Sequence, residues 1–403
     1  MDTALSPATL DFIRRHRTDD VRALALRAAG HKDIDLTQAL QQIAGWQAAR
    51  RKLPRWSTTE GVLYPPHLSM EQCSSELTAV YKAEVLGTGD TMADLTGGFG
   101  VDCSYLARGF RRPAYVERDP GLCALARHNF PLLGCPHIEV HEAEAENYLR
   151  TMEPVDSLFL DPARRDGHGG RTVAIADCTP DVMALRPLLL AKARRVLVKL
   201  SPMLDITLAL RDLPDVSEVH VVSVQNECKE LLLLLTAEAV TGPTFHCVNF
   251  GTDTRRFSFT AAEEQQAACP LAAAPGQYLC EPNASLLKAG AFRVPAVRFG
   301  LRKLHPNSHL YTSDAFVADF PGRVFIIESV CGFSKQELKT LTASTPQANL
   351  TVRNFPASVD ELRKRLKLRE GGDTYLFATT LADGRKVIVK CKKATNSSPE
   401  TDR

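Results

Sequence analysis

Apolar residues recur every three or four positions through residues 1–75, which is the spacing of amphipathic helices. Leu36, Leu40 and Ile43 mark one such helical face. Ser6 precedes another helical pattern, where its hydroxyl can accept from the first backbone N–H groups. We therefore expect an N-terminal helical domain over residues 1–75.

Residues 76–240 show a different pattern, in which short apolar runs alternate with helical segments. This alternation predicts an α/β domain with a doubly wound parallel sheet. Two apolar runs, 219–224 and 231–236, lie close enough along the chain to pair as antiparallel strands. Together with five preceding strands they predict a seven-stranded sheet.

The pattern changes again after residue 240. Residues 241–320 combine a stretch that suits a linker or a short helix with runs of Asn, Ser and His, which are more often caps and turns than binding sites. Residues 321–395 predict a small α+β domain in the order strand, helix, strand, helix, strand, strand. Residues 396–403 are expected to form a disordered tail.

Composition limits the class of protein. The 403 residues are 24% charged and 44% hydrophobic, as in an ordinary soluble globular protein. The N-terminus carries several charges and no continuous apolar run, so we expect a cytoplasmic protein with no membrane partner. Eleven scattered cysteines predict reduced thiols. His137 and His141 have a spacing used by metal sites on helices, but we expect them on a strand, and we predict no metal site.

A glycine-rich loop follows the first predicted strand of the sheet, and its glycines allow a ligand to approach the backbone closely. A dinucleotide fingerprint would need a third glycine where Cys103 stands. Asp94, four residues before Gly98, instead gives the D-x-x-x-G-x-G arrangement. This resembles motif I of class I methyltransferases, in which the carboxylate meets the cationic end of S-adenosylmethionine. A glycine turn that only lets a helix pack on the sheet is the alternative. The predicted cofactor-binding residues of the loop are Asp94, Thr96, Gly97, Gly98 and Gly100.

Two further acids suit a nucleoside. Glu117 ends the second predicted strand, where nucleotide-binding sheets hold ribose because one carboxylate can accept from both hydroxyls. Asp119 is the alternative ribose ligand, although it also suits the N-cap of the next helix. Glu144 follows the third strand and could accept from the adenine amine, or be a surface acid.

The fourth predicted strand ends in Asp161-Pro162-Ala163-Arg164. Asp161-Pro162 resembles the start of motif IV of amino-methyltransferases, in which the acid and the next carbonyl orient the target amine. Arg164 replaces the aromatic residue of that motif, although a planar guanidinium can still stack on a base or hold a phosphate. Lys199, at the end of the fifth strand, suits either a substrate contact or an ion pair with Asp161. We take Asp161, Pro162 and Arg164 as the catalytic candidates.

Positive charge is concentrated near the C-terminus. Residues 321–395 contain 14 Lys and Arg against 7 Asp and Glu, a net charge of +7. Because the whole chain carries +2, the remaining residues carry −5. This asymmetry favours a polyanionic partner over a merely solvated helix face. The predicted RNA-binding residues crowd one helix and are Arg363, Lys364, Arg365, Lys367 and Arg369.

The loop, Glu117, Asp161-Pro162 and the terminal strand pair together resemble a Rossmann-like class I S-adenosylmethionine-dependent methyltransferase. The sequences of four segments are similar to a bacterial methyltransferase family, common in Bacteroidetes, with a ferredoxin-like segment and a C-terminal THUMP-like domain. These segments are Ser69–Glu76, Asp161–Asp166, Glu281–Ser285 and Leu304–His309. The resemblance implies S-adenosylmethionine as cofactor and, since THUMP domains bind RNA, methylation of a tRNA or rRNA.

The resulting hypothesis is direct methyl transfer to an RNA base nitrogen. Pyrimidine C5 methylation needs a cysteine nucleophile, and none lies in residues 161–166 or 199–202. Two alternatives stay open. The substrate could be a protein or a small molecule, or the chain could be a non-catalytic RNA-binding protein with a relict methyltransferase fold.

Overall fold

The computed structural model describes residues 5–27, 33–164, 175–238, 241–343 and 345–394. The chain divides into two compact units. The first comprises Met1–Ser217 and Leu232–Thr241, and the second comprises Glu218–Leu231 and Gly242–Arg403. The predicted tail, residues 396–403, lies outside the described residues.

Among the residues that the structure describes, six helices open the first unit. Ser6 caps the first of them by accepting from the backbone N–H of Thr9 at 3.1 Å, and Pro7 follows as the first helical residue. Ala39 and Ile43 of the third helix are fully buried against Phe12 and Leu24 of the first two, which accounts for the apolar periodicity. The helices are α1 (Pro7–His16), α2 (Val21–Arg27), α3 (Leu36–Lys52), α4 (Pro54–Thr58), α5 (His67–Gln72) and α6 (Glu76–Leu86).

Strands and helices then alternate, as the sequence predicts. The elements are β1 (Gly89–Asp94), α7 (Val101–Leu106), β2 (Phe110–Glu117), α8 (Pro120–Leu132), β3 (Glu139–Glu142), α9 (Ala145–Thr151), β4 (Val155–Leu160), β5 (Ala163–Arg164), β6 (Cys178–Thr179), α10 (Val182–Lys192), β7 (Ala193–Leu200), α11 (Ile206–Asp212), β8 (Val216–Val224) and β9 (Glu227–Thr236).

The first unit's sheet has the order β3-β2-β1-β4-β7-β9. Strands β1, β2, β3, β4 and β7 pair in parallel. Their carboxyl ends therefore meet at one edge of the sheet, where ligands bind in open α/β folds. The short β5 and β6 pair separately with each other.

Strands β8 and β9 are the predicted terminal pair, and both run from one unit into the other. The two residues between them, Gln225 and Asn226, have positive φ angles of 51° and 63°, as a tight two-residue hairpin requires. In the second unit the sheet order is β9-β8-β10-β11. Strands β10 (Thr244–Phe250) and β11 (Arg255–Thr260) are additions that the sequence analysis does not predict.

The rest of the second unit forms a separate sheet with the order β13-β14-β12-β15-β18-β17-β16. From β15 onward the elements follow the predicted order. These elements are α12 (Ala261–Gln266), β12 (Tyr278–Pro282), α13 (Ala284–Ala289), α14 (Val294–Arg298), β13 (Arg302–Lys303), β14 (Tyr311–Ser313), β15 (Gly322–Gly332), α15 (Lys335–Ala343), β16 (Asn349–Arg353), α16 (Val359–Leu366), β17 (Thr374–Thr380) and β18 (Lys386–Lys393).

Candidate active site

The parallel sheet brings the predicted cofactor and catalytic residues of the first unit to one edge. Asp94 and Glu117 are the last residues of β1 and β2, and Asp161 comes directly after β4. Lys199 is the penultimate residue of β7, which pairs with β4. The candidate site therefore lies at the carboxyl ends of four neighbouring strands.

The glycine loop after β1 is tightly built. A Cβ atom on Gly97 would lie 2.2 Å from a ring carbon of Tyr115, so only glycine fits there without a shift of that buried ring. Gly98 and Gly100 have positive φ angles of 53° and 85°. The Tyr115 hydroxyl donates to the Gly98 carbonyl at 2.6 Å, which fixes the tip of the loop against β2.

Asp94 is almost fully buried, with 1% of its surface exposed. One carboxylate oxygen accepts from the Thr96 backbone N–H at 3.0 Å, while Oδ2 has no hydrogen-bond partner among the described residues. Burial raises the pKa of Asp94 well above its usual range, and the carboxylates of Asp102, Asp161 and Glu117 raise it further. A buried carboxylate with one oxygen unpaired and other acids nearby is suited to a cationic ligand.

Thr96 joins the loop to the end of β4. Its backbone N–H contacts Asp94, and its hydroxyl oxygen accepts from the backbone N–H of Asp161 at 2.6 Å. The cofactor candidate Asp94 and the catalytic candidate Asp161 are thus held in one hydrogen-bonded chain.

Glu117 supports the loop directly. It accepts from the backbone N–H of Gly98 at 2.9 Å, and its other oxygen accepts from Arg118 and Asp119 N–H groups at 2.8 and 2.9 Å. A carboxylate has about four acceptor positions, so a ribose hydroxyl can still be accepted. Asp119 instead caps α8, accepting from Gly121 N–H at 2.7 Å. Glu117 therefore stays the predicted ribose ligand and Asp119 the alternative.

Glu144 lies at the start of α9, after β3, and makes no capping hydrogen bond with its side chain. That side chain is 52% exposed, and its nearest ion-pair partner is Arg118 at 3.9 Å. It is available to a ligand at this edge of the sheet, and its contact with adenine remains a prediction.

The catalytic candidates follow β4. Lys199 makes an ion pair with Asp161, which is one of the two roles that the sequence leaves open for that lysine. Pro162 is buried. Arg164 lies in β5, opposite Cys178 of β6, and the residues that follow it, 165–174, lie outside the described part of the chain.

A buried polar cluster beside the loop escaped the sequence prediction. Lys82 of α6 is fully buried and lies 3.2 Å from Asp102 at the start of α7. Ser74 donates to Asp102 at 2.7 Å and accepts from Lys82 at 3.0 Å. The polar segment Ser69–Glu76 contains the N-cap of α6, Ser75. The lysine within the apolar pattern of α6 was the feature of the sequence that could have indicated this buried cluster.

The C-terminal basic residues lie in the second unit. Arg363, Lys364 and Arg365 belong to the last turn of α16, whereas Lys367 and Arg369 lie beyond its end at Leu366. Arg363 is half-buried and lies 3.7 Å from Glu370. The other four cations are exposed. These four residues, Lys364, Arg365, Lys367 and Arg369, are called the basic end of α16 below.

The Asn, Ser and His motifs before residue 320 have the capping and turn roles that were expected. Asn283 caps α13 by accepting from the Leu286 backbone N–H at 3.1 Å. His305 accepts from the backbone N–H of Asn307 at 3.0 Å within a turn. All eleven cysteines are free thiols, as predicted. No helix among the described residues has the length and apolarity needed to cross a membrane.

Comparisons with known proteins agree with this geometry. Residues 278–321 match a ferredoxin-like domain family, and residues 322–393 match a THUMP-like domain family. A crystal structure from Porphyromonas gingivalis W83, of a protein classed as a methyltransferase, is 38% identical and has a TM-score of 0.87, covering 96% of this chain and 98% of that one. The chain belongs to this methyltransferase family.

Curated relatives name the cofactor. Two Mycobacterium tuberculosis strains carry an uncharacterised S-adenosylmethionine-dependent methyltransferase that is 26% identical over 327 residues, or 78% of this chain and 84% of that protein. The residues at the candidate site of the present chain fit that cofactor, because the unpaired Asp94 oxygen suits a cation and the crowded Gly97 keeps the loop clear of side chains.

Proposed function

We propose that this methyltransferase modifies a base nitrogen of RNA. The observation that supports RNA most strongly is the concentration of positive charge, +7 over residues 321–395, in the THUMP-like domain. The basic end of α16 is exposed, and its cations can neutralise backbone phosphates. The remaining residues carry −5, so the attraction is confined to one part of the chain.

The cofactor would be held by Asp94 and the glycine loop, with Glu117 at the ribose and Glu144 near the adenine. When bound, it supplies a methyl group already activated on a sulfonium. The protein therefore has to align the acceptor nitrogen, exclude water and accept a proton.

Asp161 is the proposed proton acceptor. Its carboxylate and the Pro162 carbonyl would accept hydrogen bonds from the target N–H groups, so that the nitrogen lone pair faces the methyl group. Lys199 orients the carboxylate through their ion pair, and Thr96 holds the Asp161 backbone. Arg164 would stack on the base or hold its phosphate.

A cysteine-dependent reaction at a pyrimidine carbon is not favoured. Cys178 pairs with Arg164 in the β5–β6 ladder, but it is 3% exposed. Nucleophilic attack on a base requires an accessible thiolate. Direct transfer to nitrogen needs no such group.

The test is transfer of labelled methyl groups from S-adenosylmethionine to RNA from a deletion strain, compared with RNA from the parent strain. We expect label in the deletion-strain RNA only, since the parent RNA is already methylated. Asp161→Ala should lose activity by about 100-fold or more while still binding cofactor. Glu153→Ala, an exposed acid in the same unit, is the matched control.

Two outcomes would contradict the proposal. Label recovered in protein or in small molecules, with none in RNA, would move the substrate to another class. Full activity of Asp161→Ala on RNA would be consistent with RNA methylation but would contradict the proposed role of the Asp161 carboxylate.

A further inference from the structure

Three side chains of metal-binding types meet on one face of β8 and β10. The two strands pair in parallel, with His220 opposite His246. Glu218 lies two positions before His220 on the same strand, so its side chain points to the same face. Among the described residues, these three form a group of potential ligands whose donor atoms all lie within 4.8 Å of one another.

The distances suit a single ion. The Oε2 atom of Glu218 lies 3.0 Å from Nε2 of His220 and 3.5 Å from Nε2 of His246. A tetrahedral site with ligand bonds of about 2.0–2.1 Å places neighbouring donor atoms roughly 3.3 Å apart. The two imidazole rings are stacked, with centroids 4.6 Å apart and an interplanar angle of 17°, so a ring must rotate for both Nε2 atoms to bind the same ion.

The second nitrogen of His246 is also well placed. Its Nδ1 lies 2.9 Å from the hydroxyl oxygen of Ser258, which is opposite His246 on β11. When Nδ1–H donates to this hydroxyl, the lone pair of Nε2 faces Glu218 and is free to bind a metal. Metal-binding histidines commonly have such a partner on their other nitrogen.

An ion can also reach the group. The Glu218 and His246 side chains are 36% and 29% exposed, whereas His220 is 5% exposed. The buried imidazole would anchor the ion, and the exposed side leaves a coordination position for water.

We propose that Glu218, His220 and His246 bind a divalent transition-metal ion of the zinc class. Two imidazoles and one carboxylate are a donor set that Zn²⁺ uses in proteins. The ion would connect two strands that are 26 positions apart along the chain at the paired histidines, and it would stabilise the second unit. This proposal is independent of the methyl acceptor.

The test uses the full-length protein, stripped with a chelator and then equilibrated with Zn²⁺. We expect about one zinc ion per chain that survives buffer exchange, measured by elemental analysis, and a higher Tm with zinc than without. His246→Gln and Glu218→Gln should each weaken zinc binding at least tenfold and remove the rise in Tm. Both residues are partly exposed, so the metal-free variants should melt within a few degrees of the metal-free wild type.

His141→Gln is the matched control, because β3 carries the same Glu-x-His spacing, with 3.4 Å between Glu139 and His141. In the described part of the chain this pair has no third ligand. The His141→Gln variant should therefore bind zinc like the wild type. Absence of zinc from the wild type, or equal zinc binding by wild type and both site variants, would overturn the proposal, since zinc at other histidines or thiols would be unaffected by them.

Discussion

At the scale of single residues, Asp94 is the most informative side chain. Burial and the neighbouring acids raise its pKa, and its Oδ2 has no hydrogen-bond partner in the described part of the chain. A buried carboxylate costs the folded protein stability, and a positively charged ligand can repay this cost as binding energy. Side chains whose pKa is shifted by burial are often found at functional sites for this reason.

Asp94→Asn should therefore weaken cofactor binding by about tenfold or more, since a charge-assisted contact contributes at least ~1.5 kcal/mol. It should also change how stability depends on pH. Because the folded pKa of Asp94 lies above its usual 3.8, the folded chain binds more protons than the unfolded chain above that pH. Wild-type stability is lost as the pH rises through this window, so the stability of the variant relative to wild type should increase.

Asp156 provides the control, because its effect on stability should change with pH in the opposite direction. It lies in β4 and accepts from the backbone N–H groups of Asp90 and Thr91, which lower its pKa below 3.8. Its contribution to folding stability is present above pH 3.8 and is lost as the pH falls through the pKa of the folded state. Asp156→Asn should lose relative stability as the pH rises through this lower window, with cofactor affinity unchanged. Calorimetry and urea unfolding between pH 3 and 8 measure both effects, and parallel curves for the two variants would contradict them.

At the scale of elements, the buried pair Lys82–Asp102 links α6 to α7, the helix that begins directly after the glycine loop. Lys82→Met leaves a buried carboxylate without its cation and should cost about 3–5 kcal/mol. Adding Asp102→Asn should recover most of this loss, because the uncompensated charge is then removed. Urea unfolding of the two single variants and the double variant gives the coupling energy.

The exposed pair Arg15–Asp11 on α1 is the comparison for this cycle, with side chains 72% and 46% exposed. Arg15→Met should change stability by no more than about 0.5 kcal/mol, because solvent screens surface ion pairs. Additive losses from Lys82→Met and Asp102→Asn would show that the buried pair is not coupled.

Elements that depend on local pattern were predictable from the sequence. Ser6 caps α1 and Asp119 caps α8, as their spacing from the following helices predicts. Contacts between distant segments were predictable only where parallel strand ends meet, as for Asp161 and Lys199. The apolar pattern of α6 marks Lys82 as buried, but neither its pairing with Asp102 nor the alignment of His220 with His246 has a local signature, because both depend on how separate elements pack. The pairing of β10 with β8 is also a contact between distant segments, because β9 lies between these two strands along the chain.

At the scale of the whole molecule, charge is separated along the chain, with +7 in residues 321–395 and −5 elsewhere. A polyanion that binds the positive region releases its counterions, so its affinity should fall as the salt concentration rises. The proposed cofactor contact at Asp94 is buried, so cofactor binding should respond far less to salt, because buried charges are poorly screened.

Replacing the four cations at the basic end of α16 by glutamine should therefore weaken RNA binding while leaving cofactor affinity unchanged. Each lost phosphate contact should reduce the slope of log K against log salt by about 0.7 for single-stranded RNA, so four contacts reduce it by roughly 3. The control replaces four exposed arginines of the first unit, Arg14, Arg22, Arg150 and Arg194, and makes the same change in net charge. Equal losses from both sets would mean that RNA responds to total charge and not to this surface, and an unchanged salt slope in the α16 variant would remove these residues from the RNA-binding site.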